Sequence, residues 1–391
     1  MKTDSSQRPN ILAFATQGSG SGDEQRLRTL LSRFEARFYP FDRNHKASNL
    51  RRLLSLMRQE RPDLVVIEGT GLFGGLAVIL GSILYGIPYV VSSGDAVGPY
   101  LARKQPLLGP LFHWYEKALC RRATGFVGWT PYLAGRAMTF GTKYAMTAAG
   151  WAPFVRDEEG AGRARKLIRD KLGIPDTSIV AGLVGSLNWN SRVGYCYGYE
   201  LVKALCLLPR NDLRVLIVGD GSGRPILEHL AGEEAGKRVL FTGRVSREQV
   251  PAYLAAMDLA SLPQSVDQVG SFRYTTKLSE YMAAGLPVIT GAIPASYDLG
   301  GDWMLRISGD APWDDGYIRH LAQTLDRITP DEIRQLAAKV PKQHPSFDRD
   351  SQIQRFSEFI ADIMQDRLKQ TARKEQPVHD FRTYSHLSQT E

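Results

Sequence analysis

The residues best suited to chemistry lie close together in Tyr274–Ile289, which reads YTTKLSEYMAAGLPVI. Thr275 or Thr276 can cap a helix, Gly285 suits its left-handed exit, and Pro287-Val288-Ile289-Thr290 resumes as a buried strand. The free N–H groups of a capped helix start attract an anion such as phosphate. Lys277 stands at that start, where a cation opposes the helix dipole unless an anion is near. Glu280, one turn in, can accept hydrogen bonds from a sugar hydroxyl. Together these are the parts of a nucleotide-sugar site.

Two other places carry candidate groups. Gly18-Ser19-Gly20-Ser21-Gly22 offers backbone that a phosphate or an acceptor can approach closely. With Asp42 about 20 residues on, the same loop raises a dinucleotide-binding reading. The third glycine of that pattern is Asp23, however, and a carboxylate there repels pyrophosphate. Asp95 follows the apolar run Tyr89-Val90-Val91-Ser92. An acid at a strand's C-terminal end, facing a cleft, can act as a base or orienting group, or it can cap the next helix. His113 falls in a helix and reads as packing or surface. Asp348-Arg349-Asp350 mimics a metal-binding pair, but it lacks neighbouring ligands and reads as a helix start. No metal and no cofactor are expected.

The elements that must position these groups alternate between strand and helix. In the first half Pro9–Thr16, Asp63–Glu68 and Gly125–Trp129 read as strands, with a helix over Glu24–Arg37. In the second half the strands are Ile179–Val184, Leu213–Val218, Val239–Thr242, Leu259–Leu262 and Pro287–Thr290. This alternation predicts parallel sheets with helices on both faces. At 391 residues the chain is too long for one ordinary core. Two Rossmann-like, doubly wound α/β domains are predicted to face each other across a cleft. Residues 1–150 would form the acceptor-side domain, 151–175 the linker and 176–345 the nucleotide-sugar domain. An amphipathic helix over 346–366, able to cross back to the first domain, would precede a disordered tail, 367–391.

Charge is unevenly spread. Residues 1–150 hold 19 Lys and Arg against 10 Asp and Glu, and residues 151–391 hold 30 against 31. The first half therefore suits an anionic partner, such as a membrane surface or a phosphorylated acceptor. Arg103–Arg122 interleaves basic residues with Trp114, Tyr115 and leucines, a pattern able to lie in a membrane interface. Leu72–Val91 carries no charge and has about the length of a membrane span, but Gly86-Ile87-Pro88 divides it into a helix and a strand. Cys120, Cys196 and Cys206 form no framework, as in a reducing cytoplasm. The polar N-terminus reads as no secretory signal.

Several second-half motifs occur together in a set order. They are Gly185-Ser186-Leu187, Val218–Gly221 with Arg224, Leu227 and Glu228, Phe241–Val245, Tyr253–Asp258 and Lys277–Val288. In this order they resemble the donor-binding domain of GT-B glycosyltransferases, above all glycosyltransferase family 4. The resemblance is strong over about residues 180–310 and holds in outline over 1–150. It implies that Glu280 holds the nucleotide ribose and that Arg192 neutralises the donor diphosphate. Gly185, Gly219, Gly221 and Lys277 would complete the donor site, and Asp95 would reach the acceptor or the transferred sugar. Two departures stand out. The acid usually found eight residues before the ribose acid is Phe272, and the lysine after the diphosphate arginine is Val193. Arg273 could supply the missing cation and Asp267 the missing acid.

The resemblance implies transfer of a sugar from a nucleotide-diphosphate donor to an acceptor hydroxyl, with retention and without metal. It fits polysaccharide or glycolipid assembly in the cytoplasm, at the inner face of a membrane. The partners would be the donor, a glycan or lipid-linked acceptor and an anionic membrane surface, and not nucleic acid. The alternatives are a nucleotide-sugar epimerase of the same fold and a catalytically silent, membrane-associated subunit that keeps nucleotide binding.

Overall fold

The computed structural model describes residues 9–155, 157–273 and 276–375. Its first sheet contains β1 (Ile11–Ala15), β2 (Ala36–Phe38), β3 (Leu64–Glu68), β4 (Tyr89–Ser93), β5 (Gly125–Gly128) and β6 (Tyr144–Thr147). The second contains β7 (Ile179–Val184), β8 (Leu213–Val218), β9 (Val239–Gly243), β10 (Leu259–Leu262), β11 (Val288–Gly291) and β12 (Met304–Ile307). Their orders are β2-β1-β3-β4-β5-β6 and β12-β11-β10-β7-β8-β9, and the strand pairings are parallel. Helices cover both faces, so the inner strands are almost wholly buried and mostly apolar. The predicted α/β architecture of two doubly wound sheets is the one observed.

Each order reverses once, between β1 and β3 and between β7 and β10. Such switch points open crevices at the strands' C-terminal ends, where ligands bind in open α/β sheets. The Gly18–Gly22 loop leaves β1 at the first crevice, and Gly185 follows β7 at the second.

The helix after β1 and the last helix differ from expectation, while the Leu72–Val91 stretch divides as predicted. The helix predicted over Glu24–Arg37 spans Gly22–Leu30, and Ala36–Phe38 then pairs with β1 as an edge strand. A three-residue edge strand is too short to show an alternating pattern. The uncharged Leu72–Val91 stretch is a helix, Leu72–Tyr85, ended by left-handed Gly86 (φ 68°) before β4. Among the described residues no helix is long and apolar enough to cross a membrane. The last helix spans Arg349–Glu375, so it covers nine residues assigned to the tail, and the rest of that tail lies outside the described residues.

The last helix returns to the first half. Phe356, Ile360 and Ile363, spaced to share one helix face, are buried with Ile11, Leu27, Leu30 and Val66. At its start Gln352, fully buried, donates from Nε2 to the Gly150 carbonyl and accepts from the Gly150 N–H, both at 2.8 Å. That double bond fixes the helix at the point where the chain leaves the first sheet.

Candidate functional site

On the second half, glycine lets two loops touch backbone to backbone. The Gly185 N–H donates to the Val218 carbonyl at 2.9 Å, and the Gly219 N–H to the Gly243 carbonyl at 3.0 Å. Gly219 has φ 145°, and a Cβ there would lie 1.8 Å from the Gly185 carbonyl oxygen. Only glycine fits such a position. Gly185, Gly219 and Gly221 consequently line one open cavity of about 620 Å³ with Ser186, Asn188 and Arg244. Beside it Lys277 lies against Gly185, with Nζ 4.7 Å from the centre of the Tyr197 ring.

Lys277 and Glu280 sit on the helix Thr276–Ala283, whose Leu278, Tyr281 and Met282 are buried against the second sheet. Tyr281 also donates to the Ser261 carbonyl at 3.1 Å. The anchored apolar face leaves Glu280 half-buried in the cleft. Burial raises its carboxyl above the ordinary glutamate range, and Lys277 and Arg247 oppose that rise. Gly285 ends the helix at φ 72°, and the Leu286 N–H donates back to the Tyr281 carbonyl at 2.9 Å. This is the six-to-one bond of a glycine helix stop. The expected cap at Thr275 lies outside the described residues, and Thr276 is the first helical residue.

On the first half, Ser21 caps the helix Gly22–Leu30 by accepting the Glu24 N–H at 3.2 Å. Glu24 in turn accepts the Gly20 N–H at 2.5 Å and is paired with Arg28. These bonds fold the Gly18–Gly22 loop back over the helix start, with φ 105° at Gly18 and 75° at Gly20. Behind the helix, buried Arg26 donates to Glu68 at 2.6 Å, to the Ser92 hydroxyl at 3.1 Å and to the Ala148 carbonyl at 2.5 Å. The Trp129 indole donates to the other Glu68 oxygen at 3.1 Å and lies under the Arg26 guanidinium.

The two halves meet around a cavity of about 440 Å³. Gly22, Asp23, Arg26 and Trp129 line one wall, and Arg247, Thr276 and Glu280 the other. Asp23 was not singled out as a site residue in the sequence, where it served only to weigh against a dinucleotide loop. Its carboxyl is raised to about 6, chiefly by burial and then by the charge of Glu68. An acid in the first turn after a glycine loop is the local signal that could have marked it.

Several bonds cross the cleft. Arg273 Nε donates to Asp95 at 2.7 Å, and Arg103 pairs with Asp267. Asp267 also accepts the N–H groups of Val269 and Gly270, both at 2.8 Å. Arg192, on an exposed loop, donates to the Arg103 carbonyl at 2.7 Å. The Phe272 carbonyl accepts from Thr130 at 3.1 Å, while its ring packs against the first-half core. Thus Asp95 and Arg273, far apart in sequence, form one pair, and Asp267 orders its own loop. Arg192 stands on the rim, apart from the Glu280 cavity. Among the described residues no cluster of three or more His, Cys, Asp or Glu could hold a metal ion.

Two Rossmann-like halves facing across a cleft, with a glycine-lined cavity and an acid-bearing helix on the second, define the GT-B class of glycosyltransferase. Within that class the chain belongs to the group 1, family-4-like glycosyltransferases. Residues 178–312 match the family of glycosyl transferases group 1, and residues 8–149 match the glycosyl transferase 4-like domain. Among its relatives, the chain is 27% identical over 303 residues to the 2-deoxystreptamine glucosyltransferase of Streptomyces kanamyceticus, covering 74% of each. It is 27% identical over 268 residues to the 2-deoxystreptamine N-acetyl-D-glucosaminyltransferase of Streptomyces fradiae, covering 63% of this chain and 57% of that one. Anabaena HepE in complex with UDP-glucose has the same fold, with a TM-score of 0.62 and 15% identity over 90% of this chain and 100% of that chain.

Proposed function

We propose that the protein transfers a sugar, with retention of anomeric configuration and without a metal ion, from a nucleotide-diphosphate sugar to a hydroxyl of a glycan or lipid-linked acceptor. The observation that carries this reading is the shared cavity, where Glu280 of the donor half faces the Gly22–Asp23 turn of the other half. In this scheme Gly185, Gly219 and Gly221 border the nucleotide and Glu280 accepts hydrogen bonds from the ribose. Lys277, Arg273 and Arg192 supply positive charge to the diphosphate, and fixed cations stabilise a departing anion without metal. Asp95, held by Arg273, orients the sugar or acceptor, and Gly18–Gly22 form the acceptor-side loop. Closing the cleft excludes water, which would otherwise hydrolyse the donor. The test is proton NMR of the product made from an α-linked donor. Retention predicts an α-linked product at a rate unchanged by EDTA. A β-linked product overturns retention, and loss of rate in EDTA overturns metal independence.

The acceptor side also suits the face of a membrane in the cytoplasm. Leu107 is 97% exposed and Trp114 65% exposed, with Leu108 and Leu111 between them also exposed. From Ala96 to Lys143 the chain carries seven basic residues and one acid, Glu116, which is buried against Arg136. Exposed apolar side chains on a segment rich in cations match an anionic lipid surface. The protein should float with phosphatidylglycerol vesicles at low salt and dissociate as salt screens the charges. Replacing Lys104 and Arg121 by Ala should weaken flotation. Absence of flotation at low salt removes the membrane from the reading.

A further inference from the structure

The second half holds a fully buried acid that the donor scheme leaves unused. Glu200 stands in the first turn of the helix Tyr199–Cys206. Its Oε2 accepts from the Tyr195 hydroxyl and its Oε1 from the Ser261 hydroxyl, both at 3.0 Å. Among the described residues no cation pairs with it. The titratable groups around it are Tyr195 and Cys196 on the preceding loop, Tyr281, and Tyr317 on the helix Asp315–Arg327.

Each bond to Glu200 leads to a part of the donor site. Tyr195 closes a hairpin with Asn190, each N–H donating to the other's carbonyl, at 3.2 and 2.8 Å. Arg192 lies inside that hairpin, and its N–H donates to the Asn190 side-chain oxygen at 3.1 Å. The Tyr195 ring meets the Tyr197 ring edge-on at 6.3 Å, and Tyr197 lies under the Lys277 ammonium. Ser261 belongs to β10, which runs into the loop carrying Asp267 and Arg273. The Ser261 carbonyl accepts from Tyr281, on the helix of Lys277 and Glu280. From this convergence we propose that Glu200 is a positioning residue, which holds the Arg192 hairpin in place beside Lys277 and Arg273 for the donor diphosphate. The proposal rests on the transferase reading given above.

The chemistry of a carboxylate suits the task. In its ionised form it only accepts, so it holds both hydroxyls at once. An amide in its place offers one acceptor and one donor, and one hydroxyl must then turn round or lose its partner. Burial pushes the Glu200 carboxyl up to about 7, and the bonds from Ser261 and Tyr195 oppose the rise. An acid buried without a cation costs stability, and such perturbed acids gather at functional sites. Cations fixed before the donor arrives need no rearrangement to stabilise the departing diphosphate.

The test is calorimetric titration with UDP, GDP, dTDP and ADP, each beside its monophosphate, at a pH above the Glu200 range. The proteins are wild type, Glu200→Gln, Tyr195→Phe, Arg192→Ala and the variant carrying both Glu200→Gln and Arg192→Ala. Wild type should bind one diphosphate more tightly than its monophosphate. Glu200→Gln should lower that preference about fivefold, the weight of one hydrogen bond. Tyr195→Phe should lower it likewise, and it reports on the hairpin should the Gln variant fail to fold. In the Arg192→Ala background the Gln substitution should change little further, because both act through one hairpin. An unchanged preference, equal weakening of diphosphate and monophosphate, or a Gln loss that adds in full to that of Arg192→Ala marks a structural carboxyl. Each overturns the proposal while leaving the transferase reading in place. A wild type that binds none of the four diphosphates overturns the transferase reading and the proposal with it.

Discussion

Replacing Glu280 by Ala should weaken donor binding or turnover at least tenfold, a loss of about 1.4 kcal/mol. The side chain is half-buried and its helix is fixed by Leu278, Tyr281 and Met282, so little of the effect should come from unfolding. A hydrogen bond to a charged group contributes about 1.5–3 kcal/mol, which sets the expected range at roughly tenfold to a hundredfold. The pH dependence carries a sign. Burial raises the Glu280 carboxyl, and only the ionised form accepts from two hydroxyls. Wild-type affinity should therefore fall with pH in a range above that of an ordinary glutamate, and the Ala variant should lack this limb. Calorimetric titration with nucleoside diphosphate checks both. An unchanged affinity and rate would remove Glu280 from the site.

Arg26→Ala should cost about 3–5 kcal/mol of folding stability, the usual consequence of leaving one partner of a buried ion pair unmatched. The side chains of Arg26 and Glu68 are 7% and 1% exposed. Without the guanidinium, Glu68 keeps only the Trp129 N–H among its side-chain partners, and the Ser92 hydroxyl and Ala148 carbonyl each lose a donor. Urea unfolding of wild type and variant measures the difference. A cost below about 1 kcal/mol would mean that water or a neighbour replaces the guanidinium.

The long inner strands were legible in the sequence because both their faces are buried. β7, β8 and β10 coincide with the strands predicted for Ile179–Val184, Leu213–Val218 and Leu259–Leu262. β2, β6 and β12 were missed. They hold three or four residues each, lie at sheet edges and include polar groups such as Arg37, Thr147 and Arg306. Too few positions repeat in such strands for a period to emerge.

The candidate site divides the same way. Lys277 and Glu280 are neighbours on one helix, so their spacing already carried the idea of a phosphate and a sugar. The pairing of Asp95 with Arg273 spans 178 residues and exists only once the halves face each other. Asp23 stood in view as an exception to a glycine pattern. Its meaning depends on Glu280 across the cleft and on Glu68 and Asp95 beside it, none of which is near in sequence. Phe272 shows the converse. It occupies the place of an expected acid, and in the fold its ring serves as an anchor on the first half.

The most direct measurement is thermal unfolding of the wild-type protein with UDP, GDP, dTDP, ADP and CMP at matched concentration, with and without magnesium. A ligand that binds only the folded state raises the midpoint. One nucleoside diphosphate should stand clear of the rest, equally with and without metal, and Glu280→Ala should reduce that shift. No shift with any nucleotide would contradict a donor site between Gly185, Lys277 and Glu280, and would favour a chain that keeps the fold without the activity.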